Sequence, residues 1–110
     1  MKQTFALAAA LLLASASVQA ADIAAGKAKA EAQCAACHAA NNDWNKPVDP
    51  SYPKLAGQHK DYLAHALKEY QSGGRKNAIM AGMAAALSRD DIDNLTAYFA
   101  SLNGDLYLRK

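Results

Sequence analysis

Cys34-Ala35-Ala36-Cys37-His38 is the segment that most limits what this chain can become. Its thiols belong to the only two cysteines in 110 residues, and an imidazole directly follows the second. Few chemistries suit such a pair. A structural zinc site would usually need four ligands, typically with a second Cys or His pair, and His59 and His65 are poorly spaced to supply it. A thioredoxin-like redox pair expects a βαβ setting, and no alternating strand pattern appears in this sequence. A plain disulfide suits an oxidising compartment, but it leaves the adjacent histidine and the later motifs unexplained.

A fourth chemistry uses all three side chains. Two thiols at this spacing can add across the two vinyl groups of one haem as thioethers. A histidine directly after the second can then reach the iron from the same side, which is the c-type haem attachment pattern. The expected cofactor is one haem c, held covalently by Cys34 and Cys37 with His38 on the metal.

The N-terminus sets the compartment. Lys2 gives a short positive start, Phe5 to Ala16 is an apolar run dominated by Ala and Leu, and Val18-Gln19-Ala20 offers small residues for a signal peptidase. That order is the grammar of a secretory signal peptide. The run is short for a membrane span of roughly 20 residues, and no stop-transfer charge cluster follows. Residues 1–20 are thus expected to be a removable leader, and residues 21–110 a single monohaem domain in the periplasm with no stable membrane insertion.

The hydrophobic fraction of 52% overstates the core, because much of it is alanine and part belongs to the leader. Domains this small bury a modest share of their surface and often need a disulfide, metal or bound group as a staple. Something besides side chains is therefore expected at the centre. After cleavage eleven basic residues stand against ten acidic ones. There is no basic block suited to nucleic acid and no long acidic tail, so net charge selects no partner.

Along the chain, residues 22–33 read as a helix running into Cys34, with Asp22 as its N-cap. From Ala39 to Leu55 turn formers dominate, among them Asn41, Asn42, Pro47, Pro50 and Pro53. Loops this long inside a small domain are usually functional or wrapped around something. Tyr62, Leu63, Ala66, Leu67 and Tyr70 form one stripe of a helix over 58–72, which Gly73-Gly74 stops. Residues 77–87 are apolar but short, and contain Met80, Gly82 and Met83. Ser88 and Asp91 resemble a capping box for a last helix carrying Ile92, Leu95, Tyr98, Phe99 and Leu102, with Gly104 ending the run.

Taken in order, Gly26, Cys34-Ala35-Ala36-Cys37-His38, Tyr52-Pro53-Lys54-Leu55-Ala56-Gly57-Gln58, Tyr62, Gly73-Gly74-Arg75, Met80, Leu87-Ser88-Arg89-Asp90-Asp91-Ile92 and Ala97-Tyr98-Phe99 form a pattern. It resembles a class I cytochrome c, most closely a single-domain version of one half of the two-haem, c-four type bacterial cytochromes. The resemblance covers essentially all of the chain after the leader. It implies an all-α class I cytochrome c fold, with three principal helices and long loops wrapped around one covalent haem.

The resemblance also implies roles. In the family the sixth ligand lies on a loop several residues before the last helix, a position that lands on Met80. Met83 then packs as an ordinary apolar residue, although from the residues alone both methionines also suit a core, since Met fills gaps readily. A ligand at His59 or His65 would instead give a bis-histidine haem of lower potential; His65, among Leu63, Ala66 and Leu67, is expected to be partly buried. The family proline whose carbonyl accepts the ligand histidine's other ring proton corresponds to Pro53. Gln58 and Arg75 fall near the haem propionates, as a donor and a countercharge.

Gly26 corresponds to the glycine that lets the last helix cross closely, with Tyr98 as its aromatic partner, and Ala30 departs from the aromatic residue of many relatives. Trp44 matches no family motif; it covers a haem edge or packs within its own loop.

An iron held by His38 and Met80 has both axial positions filled by protein. That suits outer-sphere transfer of single electrons, Fe(II)/Fe(III), between membrane or periplasmic redox proteins rather than catalysis, through small and weak interfaces. Two alternatives stand beside it. One is a haem peroxidase or gas-binding protein with an open iron site, for which no distal histidine–arginine pair is recognisable. The other is a redox subunit docked in a larger oxidoreductase.

Overall fold

Each helix begins or ends where a side chain or a backbone turn can satisfy its unpaired groups. A computed structural model describes residues 20–106, so the leader expected over residues 1–20 lies outside the described residues except for Ala20. Five helical segments follow one another: α1 (Ile23–Gln33), α2 (Ala35–His38), α3 (Lys60–Ser72), α4 (Ala78–Ala85) and α5 (Arg89–Ser101). The three principal helices are α1, α3 and α5, of 11, 13 and 13 residues. Among the described residues there is no strand, only an isolated bridge between Ala40 and Asp43.

Asp22 caps α1, its carboxylate accepting the Ala25 N–H at 2.9 Å. The capping box of α5 is complete: the Ser88 hydroxyl accepts the Asp91 N–H at 3.0 Å, and the Asp91 carboxylate accepts the Ser88 N–H at 2.9 Å. That second bond holds the Asp91 carboxyl below the usual carboxylate range. α3 stops at Gly73, whose φ of +82° only glycine adopts without strain.

Residues 77–87 are too short to declare a period of their own. They fold into α4 because Asn77 caps its first turn, accepting the Met80 N–H at 3.0 Å. Met80 therefore stands on a helix, not on the loop expected from the family. Two further expectations are corrected. α5 ends at Ser101 with Leu102 already extended, and Gly104 instead lies against the Ala56 carbonyl. In the α3 stripe Leu63 is buried and Ala66, Leu67 and Tyr70 are half-buried, whereas Tyr62 faces outward at 48% exposure, its hydroxyl accepting from Arg75 at 3.4 Å.

The frame of the molecule is the crossing of α1 on α5. α1 buries only Gly26 and Ala30, so the two backbones approach closely. A Cβ on Gly26 would collide with the Asn94 carbonyl and lie 3.0 Å from the Tyr98 Cβ. Asn94 closes the crossing from the other side, accepting the Asp22 N–H at 2.8 Å, and Lys29 reaches Asp91 at 3.5 Å. With Ala30 fully buried, the small residue that departs from the family pattern sits in the contact itself.

α5 then offers Leu95, Tyr98 and Phe99 to a core otherwise built mostly of alanine: Ala30, Ala35, Ala39 and Ala56, with Leu63 and Trp44. Gly26→Ala should cost about 1–3 kcal/mol, because the new methyl meets backbone that cannot rotate away. A chemical-denaturation midpoint close to that of the parent would show that the crossing is looser than described.

Candidate functional site

The chain turns sharply at Cys34, which ends α1 and opens α2. Its N–H still bonds the Ala30 carbonyl at 2.8 Å, while its own carbonyl accepts the Cys37 and His38 N–H groups at 3.3 and 3.0 Å. One helical turn thus carries the motif. Residues three and four apart are neighbours on a helix face, so Cys34, Cys37 and His38 share one side of α2. Both cysteines are free thiols and half-buried.

The imidazole is the most constrained member. His38 is 6% exposed, and its Nδ1 lies 2.9 Å from the carbonyl oxygen of Pro53. A carbonyl can only accept, so Nδ1 carries a proton, and in the neutral ring the lone pair is on Nε2. The Tyr52 ring lies 6.1 Å from the imidazole centroid. Pro53 is itself exposed and leaves its carbonyl to the histidine.

Trp44 explains how that carbonyl is held. The indole is 8% exposed and lies edge-on to Phe99 at 4.9 Å and to Tyr98 at 6.2 Å. It packs on α5 rather than within its own loop, and so fastens the loop after α2 to that helix. Around it the Val48 N–H bonds the Cys37 carbonyl at 3.0 Å, the Gly57 N–H bonds the Phe99 carbonyl at 2.9 Å, and Asn45 accepts the Asp105 N–H at 2.8 Å. Asn41 and Asn42 turn the loop with φ of +52° and +60°, a region asparagine tolerates better than most residues. The signal in the sequence was the chain's single tryptophan, set in a polar loop, and it did not say which element the ring would meet.

Burial raises the Cys34 thiol to about 11, with Cys37 adding to the rise and Lys29 opposing it. At neutral pH Cys34 is therefore a thiol and not a thiolate.

The remaining candidates lie on the α3–α4 side. Gln58 is half-buried, with its side-chain carbonyl accepting the His59 N–H at 2.9 Å, which leaves its amide N–H groups available. Arg75 is exposed, donates to Tyr62 and lies 5.2 Å over the Tyr70 ring. Met80 is half-buried on α4 and Met83 is 40% exposed. His59 and His65 are both exposed, so the partial burial expected of His65 is not observed; it stands on the side of α3 away from Leu63. Asn77, which caps α4 beneath Met80, was legible as an asparagine before an apolar run but was not singled out.

Residues 23–103 match the family described as Cytochrome c. The chain belongs to the cytochrome c family. Among curated relatives, cytochrome c4 of Pseudomonas aeruginosa is 46% identical over 80 residues, which is 73% of this chain and 38% of the relative. Cytochrome c-554(548) of Halomonas halodenitrificans is 40% identical over 83 residues, covering 73% of this chain and 95% of the relative. A thiosulfate dehydrogenase electron acceptor of Thiomonas intermedia is 41% identical over 71 residues, 64% of this chain and 32% of that protein.

The fold matches that of reduced recombinant cytochrome c4 from Pseudomonas stutzeri with a TM-score of 0.67 at 35% identity, over 79% of this chain and 48% of the other. This cytochrome c is homologous to one half of dihaem cytochrome c4, and spans less than half the length of the cytochrome c4 relatives and of the thiosulfate dehydrogenase electron acceptor. Family membership makes it a c-type cytochrome of electron transfer and implies covalent haem c, with which the donor set of α2 fits: two reduced thiols and an imidazole whose Nδ1 is taken up by the Pro53 carbonyl.

The pH behaviour of the thiol has a sign. Because folding raises the Cys34 thiol above its ordinary value of 9.0, the folded polypeptide before haem attachment holds its proton longer than the unfolded one. Its stability should be level below pH 9 and fall as pH rises towards about 11. Peptide-resolved alkylation should show Cys34 reacting ever faster over that interval; a rate that levels off near pH 9 would mean the thiol is not shielded.

Proposed function

We propose that this cytochrome c is an exported carrier of single electrons, with residues 1–20 a removable leader and residues 21–110 a monohaem periplasmic domain. Its haem would be held by thioethers at Cys34 and Cys37, with His38 and Met80 as axial ligands. The observation that carries this reading is the buried His38 ring, locked by Pro53 with Nε2 left as a donor, one residue after the second thiol. Among the described residues no helix is long and apolar enough to cross a membrane.

When bound, the haem supplies a one-electron Fe(II)/Fe(III) couple that no side chain of this protein can provide. The chain's residues do the rest. The Pro53 carbonyl holds the Nδ1 proton, which fixes the ring's orientation and strengthens Nε2 as a ligand. Cys34 and Cys37, on one side of a single helical turn, would tether the group. Met80 as the second ligand would supply a thioether, which favours the ferrous state and a higher potential than a second histidine would. Gln58 and Arg75 are proposed to meet the propionates, the first with free amide N–H groups and the second with a fixed positive charge.

Were His38 and Met80 both to hold the iron, a substrate would have to displace a ligand, so the chain would suit transfer between partners rather than catalysis at the metal. The partners are membrane or periplasmic redox proteins, met through brief and small contacts. Similarity to a protein named as a thiosulfate dehydrogenase electron acceptor favours, as a second reading, a carrier that serves one oxidoreductase.

The test is an absorption spectrum of protein expressed with haem-maturation machinery, followed by acid–acetone extraction. Haem should stay with the protein and the ferric form should show the weak long-wavelength methionine band. Cys37→Ala should sharply reduce covalent retention, whereas Met80→Ala should keep the haem, lose the band and lower the potential. Retention without the band in the parent protein would point to bis-histidine or open-site chemistry, and no haem at all would refute the reading.

A further inference from the structure

Met80 and Met83, the two candidate sulfur ligands, both ride on α4, and little apolar packing holds that helix. Of its eight residues only Ala84 is buried, while Ile79 is 60% exposed and Met83 40%. A helix of this length has little stability of its own. α4 packs chiefly on α3, and polar ties hold both of its ends. At the N-terminal end Asn77 accepts the N–H of Met80 itself.

At the other end Gln71, near the end of α3, donates from its side-chain nitrogen to the Ala84 carbonyl at 2.8 Å and to the Leu87 carbonyl at 3.0 Å. The Ala84 carbonyl also accepts the Leu87 N–H at 3.0 Å, and the Leu87 carbonyl lies just past the helix, so one amide group adds a second bond to this turn and fastens the end of α4, with the turn into α5, to α3. Nothing in the spacing of Gln71 marks it in the sequence; only the fold brings it to α4.

We propose that Gln71 is a positioning residue for the sulfur ligand: by pinning α4 to α3 it keeps the methionine thioether on the iron against competing ligands. This rests on the reading that a methionine of α4 is the sixth ligand. A thioether is a neutral donor, and its hold depends on how firmly the backbone that carries it is placed. Removing such supporting bonds at metal sites typically changes ligation about 10–100-fold. Gln71 acts through the backbone of α4, so its effect falls on ligand exchange rather than on haem attachment at Cys34 and Cys37.

The test uses the ferric holoprotein, titrated with imidazole while the long-wavelength methionine band is followed. Gln71→Leu fills similar space without donors. Gln71→Glu keeps the shape and, when ionised, offers only acceptors. Both should bind imidazole about tenfold more tightly than the parent, and Gln71→Lys, which restores a donor at similar reach, should bind it nearly as the parent does. A residue that merely stabilises the fold would lower the thermal midpoint without moving imidazole affinity.

Unchanged affinity in both Gln71→Leu and Gln71→Glu overturns the proposal. Met80→Ala and Met83→Ala separate the two ways it can fail. If one of them abolishes the band while the Gln71 variants do nothing, the role of Gln71 alone is lost. If the parent shows no such band, or if the band survives when Met80→Ala and Met83→Ala are combined, the methionine ligand is lost and the role of Gln71 goes with it.

Discussion

The close crossing of α1 on α5 is the contact on which the rest of the molecule hangs. It is made possible by the absence of a side chain at Gly26, which lets the Asn94 carbonyl and Tyr98 come up against the backbone of α1. With α5 fixed in this way, Tyr98 and Phe99 form a platform for the Trp44 indole. The indole holds down the loop that follows α2, and that loop places the Pro53 carbonyl against His38. A side chain missing from one helix thus sets the orientation of an imidazole on another. The sequence of contacts also accounts for a core so rich in alanine: small residues allow backbones to approach, and a few aromatics supply the volume.

The site has two sides of different stiffness. Cys34, Cys37 and His38 sit on a single helical turn that grows directly out of α1, so their relative placement is set by local hydrogen bonds and by the aromatic platform. The methionines sit on a short helix with one buried residue, tied through polar groups of Asn77 and Gln71. In the proposed carrier this division has a physical sense. The covalent side must never let go, while the sulfur side needs only enough hold to exclude competitors.

Likeness to one half of cytochrome c4, and to nearly the full length of cytochrome c-554(548), shows the same unit serving within longer proteins and in a chain of comparable size. The contacts of the α1–α5 crossing and of the α2 turn lie within residues 20–106. Electron transfer by such a unit follows from its membership of the cytochrome c family. The partners it serves are chosen by surface chemistry that the shared interior leaves free to vary.

What the sequence determined by itself was local. The attachment motif, the Asp22 cap, the Ser88–Asp91 capping box and the glycine stop of α3 each depend on residues within a few positions of one another, so their spacing was enough to read them. The stripe of α5 and the place of Gly26 were legible too, the first from period and the second from family pattern. What only the tertiary structure decided was long-range. Trp44 meets residues of α5 more than 50 positions away, Gln71 spans from α3 to the end of α4, and Gly104 stops nothing but lies against Ala56. Met80 proved helical because a cap three residues earlier outweighed the shortness of its segment. Hydrogen bonds between distant elements leave no period in the chain, since either partner alone is an ordinary polar or aromatic residue until folding brings the other beside it.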